Sequence, residues 1–525
     1  MNKVQFTPAV KDLLMKSAAT WLPSLKEDAA IDAFIASIER SYNQPLPGDP
    51  LGFAKSTFTQ PSSATDGLNY YDLELGAKFL YPVLTPLRNE TPRMPGKGGI
   101  QANWRAVTGI NTGGQRIGVS VGNRGGVQAV TYADYSASYK GIGIETNVDF
   151  EAQYAGMGFD DIRGIAAKVG LEACMLGEEV MILGGDTSMA LGQGATPVLS
   201  ASSSGGSLPT ETLSVIVVPL TLDGVVNGTV PGGIQGSITR VNADGSSDTF
   251  GGGAGKQSAN ATVSVTGNTG SVSATTTAIN GAMGYAWFWG VAGSELLGAI
   301  TTINSVSITA AAAGTQTAAS LGTNDNSVNN LAFDGLLTQA LKPGSNAYVA
   351  SQATGVAGTG TPLTADNAGG IVEIDLALKN RWDNYRLSPD TIWVNSQEAE
   401  NIGKKILAGG TTAAQRFVFA TNKDDIGGGI MVSTYKNKFS LAGGQVLNIR
   451  IHPNMPAGTI LMTSKRLPYP MSGVGNVFQI RARQDYYQIQ WPLKSRKWES
   501  GVYADEVLQH YFPPSMAVIT NIGNG

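Results

Sequence analysis

The sequence predicts an α+β chain that carries an all-β block inserted between its helical and mixed parts. Three observations point there. Eight prolines fall between positions 42 and 99, apolar residues recur at helical spacing from Ile162 to Leu183, and the composition turns abruptly to Gly, Ser, Thr, Ala and Val from 203 to 314. At 525 residues the chain exceeds the size at which a single core keeps growing, so two to four domains or subdomains are expected. Its hydrophobic share of 42% is that of a globular protein, while 14% charged residues fall well below the roughly 25% usual for soluble domains. A surface this poor in charge suits a protein that meets copies of itself.

The first elements are two short amphipathic helices over 8–21 and 27–41, the second marked by Ile31, Phe34, Ile35 and Ile38. From 42 to 99 the prolines remove backbone donors and break regular structure, which predicts an extended arm lying on another surface. Between Trp104 and Val148 two stretches rich in Val, Ile, Thr and Tyr flank a glycine-bearing run from 109 to 126, the pattern of a long hairpin. Its tip carries Arg116, Asn123 and Arg124 and little apolar mass. Such a ribbon does not hold itself up in water and must pack on a partner, which makes these three residues candidate inter-subunit contacts.

The strongest helical signal follows, with Ile162, Ile165, Val169, Ala173, Leu176, Val180 and Leu183 at steps of three and four. Asp160 or Asp161 is placed to cap it, and Gly184 and Gly185 to end it. In the block from 203 to 314, strand-like stretches at 213–222, 236–241, 261–265, 285–291 and 303–308 alternate with turn signals at Asp223-Gly224, Asn227-Gly228 and Asp244-Gly245. Short strands with frequent turns predict a β-sandwich of immunoglobulin-like type with Trp287 and Trp289 in its core, although one cysteine excludes the disulfide of a true immunoglobulin domain. Past it come a helix over 370–382, a strand at 392–394, and a helix over 397–407 with Asn395 and Glu398 in capping-box spacing. The stretch 478–522 reads as strands again. The resulting partition is an arm (1–103), a hairpin (104–148), a helical domain (149–202), the β block (203–314), an α/β domain (315–477) and closing strands (478–525) that return to the helical domain.

Little in the chain suggests chemistry. The run Gly251-Gly-Gly-Ala-Gly-Lys256 lacks the spacing of a phosphate loop, sits between short strands, and reads as a flexible loop. Glu178 and Glu179 are adjacent on a helix with no acid or base partner in view, so an interface or solvated role is expected. Cys174 lies by the apolar stripe and reads as a buried small hydrophobe. His452 and His510 stand apart from each other and from a nucleophile, so neither a catalytic triad nor a zinc site is expected. Lys494, Arg496 and Lys497 read as a solvated face, and Trp104, Trp382, Trp393, Trp491 and Trp498, scattered over separate elements, as core and interface anchors. A net charge of -4 and a pI near 5.4 give no reason to grip nucleic acid. The N-terminal stretch lacks a signal-peptide core and no apolar run reaches membrane-spanning length, so a chain that is neither exported nor embedded, folded in a reducing cytoplasm, is expected. No cofactor is expected.

This order of elements resembles the major capsid proteins of tailed bacteriophages with the Hong Kong 97 fold. The stretch from Gly118 to Gly125 with Tyr139 to Glu145 resembles their extended loop and its return. The stretch from Asp160 to Gly185 resembles the spine helix of their peripheral domain, from Gly370 to Leu407 the axial domain, and from Gln490 to Ile522, with Trp491, Trp498, Tyr503 and Val507, the strand pair closing the peripheral domain. The β block resembles immunoglobulin-like domains displayed on some capsids. The resemblance implies a non-enzymatic virion protein, assembled in the host bacterial cytoplasm into hexamers and pentamers of an icosahedral head. It also implies scaffold, portal and decoration proteins as partners, and packaged double-stranded DNA held without sequence recognition. Some members crosslink the loop through a lysine, but no lysine lies between Lys97 and Lys140, so a crosslink from this tip is not expected. A tail-tube or adhesin-like virion protein that binds a cell surface through its β-sandwich is the other reading.

Overall fold

The structure, a computed structural model, describes residues 78–110, 118–127, 129–157, 160–408, 432–441 and 443–525. The helices expected over 8–21 and 27–41, the arm before residue 78, and Arg116 lie outside the described residues.

Prolines do not exclude regular structure where the arm becomes visible. Pro86 opens a short helix, α1 (Pro86–Glu90), at a position whose N–H would have no helical partner in any case. A strand, β1 (Arg93–Pro95), follows at a sheet edge, where a proline is tolerated. The expected hairpin is β2 (Gln101–Ile110) paired antiparallel with β3 (Val130–Ser138), while β4 (Lys140–Asp149) leaves it to join the body. A short helix, α2 (Phe150–Gly156), precedes the long α3 (Ile162–Gly184), 23 residues that start after Asp161 and stop at Gly185 as expected. Asp161 occupies the N-cap position without a side-chain capping bond. The buried face of α3 differs from the predicted stripe. Gly170, Cys174, Glu178 and Ile182 form it at steps of four, with Glu179 and Leu183 beside them, whereas Val169 is exposed. Small residues let the helix lie close on the sheet: a Cβ at Gly170 would press on the Thr146 methyl at 3.1 Å.

The β block opens earlier than composition suggested, with β5 (Val198–Ser202) and β6 (Glu211–Leu220). Asp223-Gly224 is not a turn but part of a helix, α4 (Leu222–Asn227), in which Gly224 is needed because a Cβ would strike the Gly253 carbonyl. Next come β7 (Ser237–Val241) and β8 (Ser247–Gly251), a hairpin turning at Asp244-Gly245 with Gly245 at φ +86. The glycine-rich run after it is no flexible loop. It is buried and threaded: the N–H groups of Gly252, Gly253, Gly255 and Lys256 donate to the carbonyls of Gly236, Asn326, Pro219 and Gly192. Then β9 (Ala261–Val265), β10 (Ser271–Thr275), β11 (Gly284–Gly290), β12 (Leu296–Thr301) and β13 (Ser305–Ile308) complete two sheets, of order β13-β10-β5 and β12-β11-β6-β9. Leu213, Val215, Val217, Trp287 and Trp289 meet Val272, Ala274, Val306 and Ile308 between them. The other face of the four-stranded sheet is covered as well, by Ala254, Ala318 and Leu321 on Val218 and Phe288, which is why β6 reads as an unbroken apolar run. With the β7–β8 hairpin set aside, the strands partition in chain order as 1-4-7 and 3-2-5-6. An immunoglobulin constant-type domain partitions as ABED and CFG, so the sandwich is present and that strand order is not.

The mixed part follows: α5 (Leu336–Leu341), β14 (Tyr348–Ser351), α6 (Val372–Tyr385), β15 (Thr391–Val394), α7 (Ser396–Ala408), β16 (Thr434–Asn437), β17 (Gln445–Ile451) and β18 (Ile460–Thr463). Asn395 Oδ1 accepts the Gln397 N–H at 2.9 Å, but Glu398 turns away from a reciprocal cap and accepts the Gly458 N–H at 3.2 Å. Finally β19 (Phe478–Gln490) and β20 (Lys497–His510) form the sheet β1-β19-β20-β4 on which α3 lies, whereas β21 (Ala517–Thr520) leaves it. That last strand inserts between β14 and β18 in the six-stranded sheet β14-β21-β18-β15-β17-β16, so the chain closes in the α/β part and not in the helical domain.

In β12, a Cβ at Gly298 would fall inside the indole ring of Trp289, whose Nε1 donates to the Ala310 carbonyl at 3.0 Å. Gly298→Ala is expected to destabilise the chain by about 1–3 kcal/mol through overpacking, read from denaturant unfolding followed by tryptophan fluorescence.

Candidate functional site: an uncovered ribbon and the charge cluster behind it

The β2–β3 ribbon pairs from Gln101↔Ser138 to Ile110↔Val130, with an irregularity between Val107 and Gly109. Among its described residues, packing is concentrated at the base. Ala102 is buried, and Trp104 stacks on Tyr135 and meets Tyr511 edge-on, both at 5.9 Å between ring centroids. Farther out, Val107, Val130 and Tyr132 stand 65%, 52% and 61% exposed. Arg105 lies over the Tyr132 ring and holds Asp134 across the strands with two bonds, at 2.5 and 2.8 Å. That bidentate contact keeps the Asp134 carboxyl below the usual carboxylate range. Residues 118–127 are exposed throughout. Of the tip residues picked from sequence, Arg124 is exposed and Asn123 donates to the Ser120 hydroxyl at 2.6 Å. Tyr132, Val130 and Val107, the apolar part of the ribbon, were missed, although the alternation Val130, Tyr132 signals one face of a strand.

Behind the ribbon, Glu178 and Glu179 are fully buried, which corrects the solvated or interfacial role expected of them. Glu179 caps α1: its two oxygens accept the N–H groups of Leu87 at 2.9 Å and Arg88 at 2.7 Å. Its Oε1 also meets Nε2 of His452 at 2.6 Å, so this histidine is isolated in sequence and paired in space. Glu178 takes Arg88 at 2.5 Å, the Tyr486 hydroxyl at 2.5 Å, and Arg93. Arg93 reaches on to Glu506 at 2.5 Å and Asp485 at 2.7 Å. Burial and the Glu178 charge push the Tyr486 hydroxyl far up, so it stays a donor. A neighbouring acid, Glu90 of α1, pairs with Arg450 and with Lys465 at 2.8 Å. One short piece of chain, 86–95, is thus fixed at once to α3, to β19 and β20, and to the six-stranded sheet.

The remaining candidates fall in place without chemistry. Burial raises the Cys174 thiol to about 11, which makes it a poor nucleophile. His510 is buried against Phe478, and burial lowers it to about 3. Lys494 is exposed, Arg496 pairs with Glu151 at 2.5 Å and Lys497 with Asp149 at 3.3 Å. Trp393 is buried in the core, Trp491 donates to Glu145, and Trp498 lies under Arg163. Among the described residues no group of three His, Cys, Asp or Glu is arranged to hold a metal, and no helix is long and apolar enough to cross a membrane.

No family profile and no curated protein sequence matches the chain. Among solved structures it is similar to the capsid of a native GTA particle, at 10% identity and TM-score 0.39, over 87% of this chain and 96% of that one. It is similar to the capsid of the Myoviridae phage XM1, at 9% identity and TM-score 0.38, over 87% and 97%. A third is an encapsulin complex from Synechococcus elongatus PCC 7942, at 9% identity and TM-score 0.36, over 85% and 93%. All three stay under a TM-score of 0.5, so function is read from the geometry of the chain itself.

Removing Glu179 strands the N–H groups that it accepts from Leu87 and Arg88. Glu179→Ala is expected to cost about 2–4 kcal/mol, while Arg105→Ala on the exposed ribbon leaves the midpoint almost unchanged, both from urea unfolding. Because His510 is held neutral, its contribution to stability is complete above about pH 6.5 and is lost as pH falls toward about 3. His510→Gln should therefore flatten the acid limb of a stability-versus-pH curve by up to roughly 1.4 kcal/mol per pH unit.

Proposed function

We propose that this chain is a major capsid protein of Hong Kong 97 type, a shell-building and non-enzymatic subunit of a phage-like icosahedral head. The observation that carries the proposal is the ribbon: two ten-residue-scale strands on which Val107, Val130 and Tyr132 stand exposed among the described residues. A two-stranded hairpin is marginal in water without a surface to lie on. A neighbouring copy of the body supplies that surface, with the tip residues Arg116, Asn123 and Arg124 as inter-subunit contacts. The body supports the same reading through its parts: a long helix on a four-stranded mixed sheet as the peripheral domain, and a six-stranded sheet with α6 and α7 as the axial domain.

In this assignment the partition is an arm up to about residue 103, an extended loop, a peripheral domain around α3, the β block, an axial domain, and closing strands shared between the peripheral and axial domains. Axial domains meet at the centres of hexamers and pentamers, and the sandwich, immunoglobulin-like in layering, faces outward. Scaffold, portal and decoration proteins are the partners, double-stranded DNA is enclosed without tight binding, and the protein resides in the virion after assembly in the bacterial cytoplasm.

Electron microscopy of the expressed chain, with a scaffold supplied, is expected to show closed shells; open tubes of uniform diameter would instead make it a tail-tube protein. Tyr132→Asp should weaken the association constant of the ribbon contact by about thirtyfold, as for loss of a hot-spot contact worth roughly 2 kcal/mol, with the melting temperature of the unassembled chain unchanged.

A further inference from the structure

Glu178 of α3 and Glu506 of β20 approach the guanidinium of Arg93 from two sides, Glu178 at Nη1 and Glu506 Oε2 at Nη2. Arg93 is shared further with Asp485, and Arg88 serves Glu178 alone among these acids. The second oxygen of Glu506 is buried and accepts no hydrogen bond among the described residues. An ionised carboxylate with an empty buried oxygen is a costly arrangement, and a protonated one costs less. Burial first, and then the Glu178 charge, raise the Glu506 carboxyl well above the usual carboxylate range against the opposing pull of Arg93. The other titratable groups around the pair are Glu179 and Cys174 from α3, Tyr486 from β19, and His452 from the six-stranded sheet side.

We propose that Glu178, Glu506 and Arg93 form a proton-operated latch that fastens β1 to the body, closed while the acid pair holds one proton and loosened when both acids ionise. The inference is intramolecular and stands whether or not the chain builds a shell. What the latch holds is specific. β1 lies on the edge of β19 with Arg93↔Ile480, Met94↔Arg481 and Pro95↔Ala482 in register, extended by the Gly96 N–H on the Ala482 carbonyl at 2.6 Å. Directly after it, Gly98 and Gly99 take positive φ of +81 and +85 and lead into the ribbon. Opening the latch therefore frees the root of the ribbon and uncovers an edge of β19.

The sign follows from proton counting. The closed latch binds a proton that the open one, with Glu506 in water, releases, so opening grows with pH. The growth is roughly tenfold per pH unit between the ordinary carboxylate value and the raised one, and levels off above it. Hydrogen exchange on the full chain from about pH 6 to about pH 8 tests this, with protection factors correcting for the base catalysis of exchange itself. Peptides covering 87–95 are expected to lose protection about tenfold per unit, while a β15 peptide stays constant. In Glu506→Gln the 87–95 protection should be flat across the range. A pH-independent wild type, or the same loss in Glu506→Gln, overturns the latch. Should Glu506→Gln fail to fold, the infrared band of a protonated buried carboxyl decides: it must be present in the wild type at about pH 6 and fade by about pH 9, and its absence at the lower pH overturns the proposal.

Discussion

The whole body depends on how two neighbouring carboxylates, Glu178 and Glu179, are kept inside it. Taking an ion out of water costs several kcal/mol even after relaxation, and only close, well-aimed partners offset that. No single stretch of this chain could provide them. Arg88, Arg93 and two backbone N–H groups come from the residues before the ribbon, Tyr486 from β19, and His452 from the loop after β17. Apolar contacts alone would tolerate a helix sliding along the sheet. A carboxylate that must meet a given guanidinium and a given amide does not, so the cluster fixes the register of α3, β1 and the six-stranded sheet against one another.

What periodicity carries was legible in the sequence, and what long-range pairing carries was not. The length and ends of α3, the burial of Trp287 and Trp289, and the helix, strand and helix from 372 to 408 follow from local patterns. The face that α3 buries does not, because it is built from Gly170, Cys174 and two glutamates, residues that no hydrophobic template counts. Strands such as β5 and β10, with sequences Val-Leu-Ser-Ala-Ser and Ser-Val-Ser-Ala-Thr, hide for a similar reason: hydroxyl residues hold most of one face, and the other carries just two apolar residues, one of them alanine. The partners of Glu179 lie 92 and 273 positions away, a separation at which spacing carries no signal. The return of β21 to the six-stranded sheet was missed because a four-residue apolar strand looks the same in either sheet.

The β block also turns out to be less separable than its composition suggests. Leu222 and Met283 belong to the same core as Ile182 and Phe333 of the body. Asn304 and Asn521 exchange bonds, Asn521 Oδ1 accepting the Asn304 N–H at 2.8 Å and Asn521 Nδ2 donating to Asn304 Oδ1 at 3.0 Å. A sandwich with its own interior thus rests on a base shared with the rest of the chain. Cutting it out would uncover apolar surface in the body as well as remove a module.

This distribution of packing explains why so weakly charged a chain can expose a ribbon. An open two-stranded hairpin presents free backbone groups along both edges, and apolar residues on such edges invite indiscriminate pairing. Here the exposed Val107, Val130 and Tyr132 are accompanied by one fixed charge pair, Arg105–Asp134, set across the strands with Arg105 lying over Tyr132. Burying each of those apolar side chains is worth roughly 1.5–3 kcal/mol, enough to drive association when repeated at every copy. Burying the ion pair without complementary polar groups is unfavourable. A covering surface must therefore offer polar partners at one place and apolar ones beside it, a condition that a matching subunit meets and a random hydrophobic surface does not.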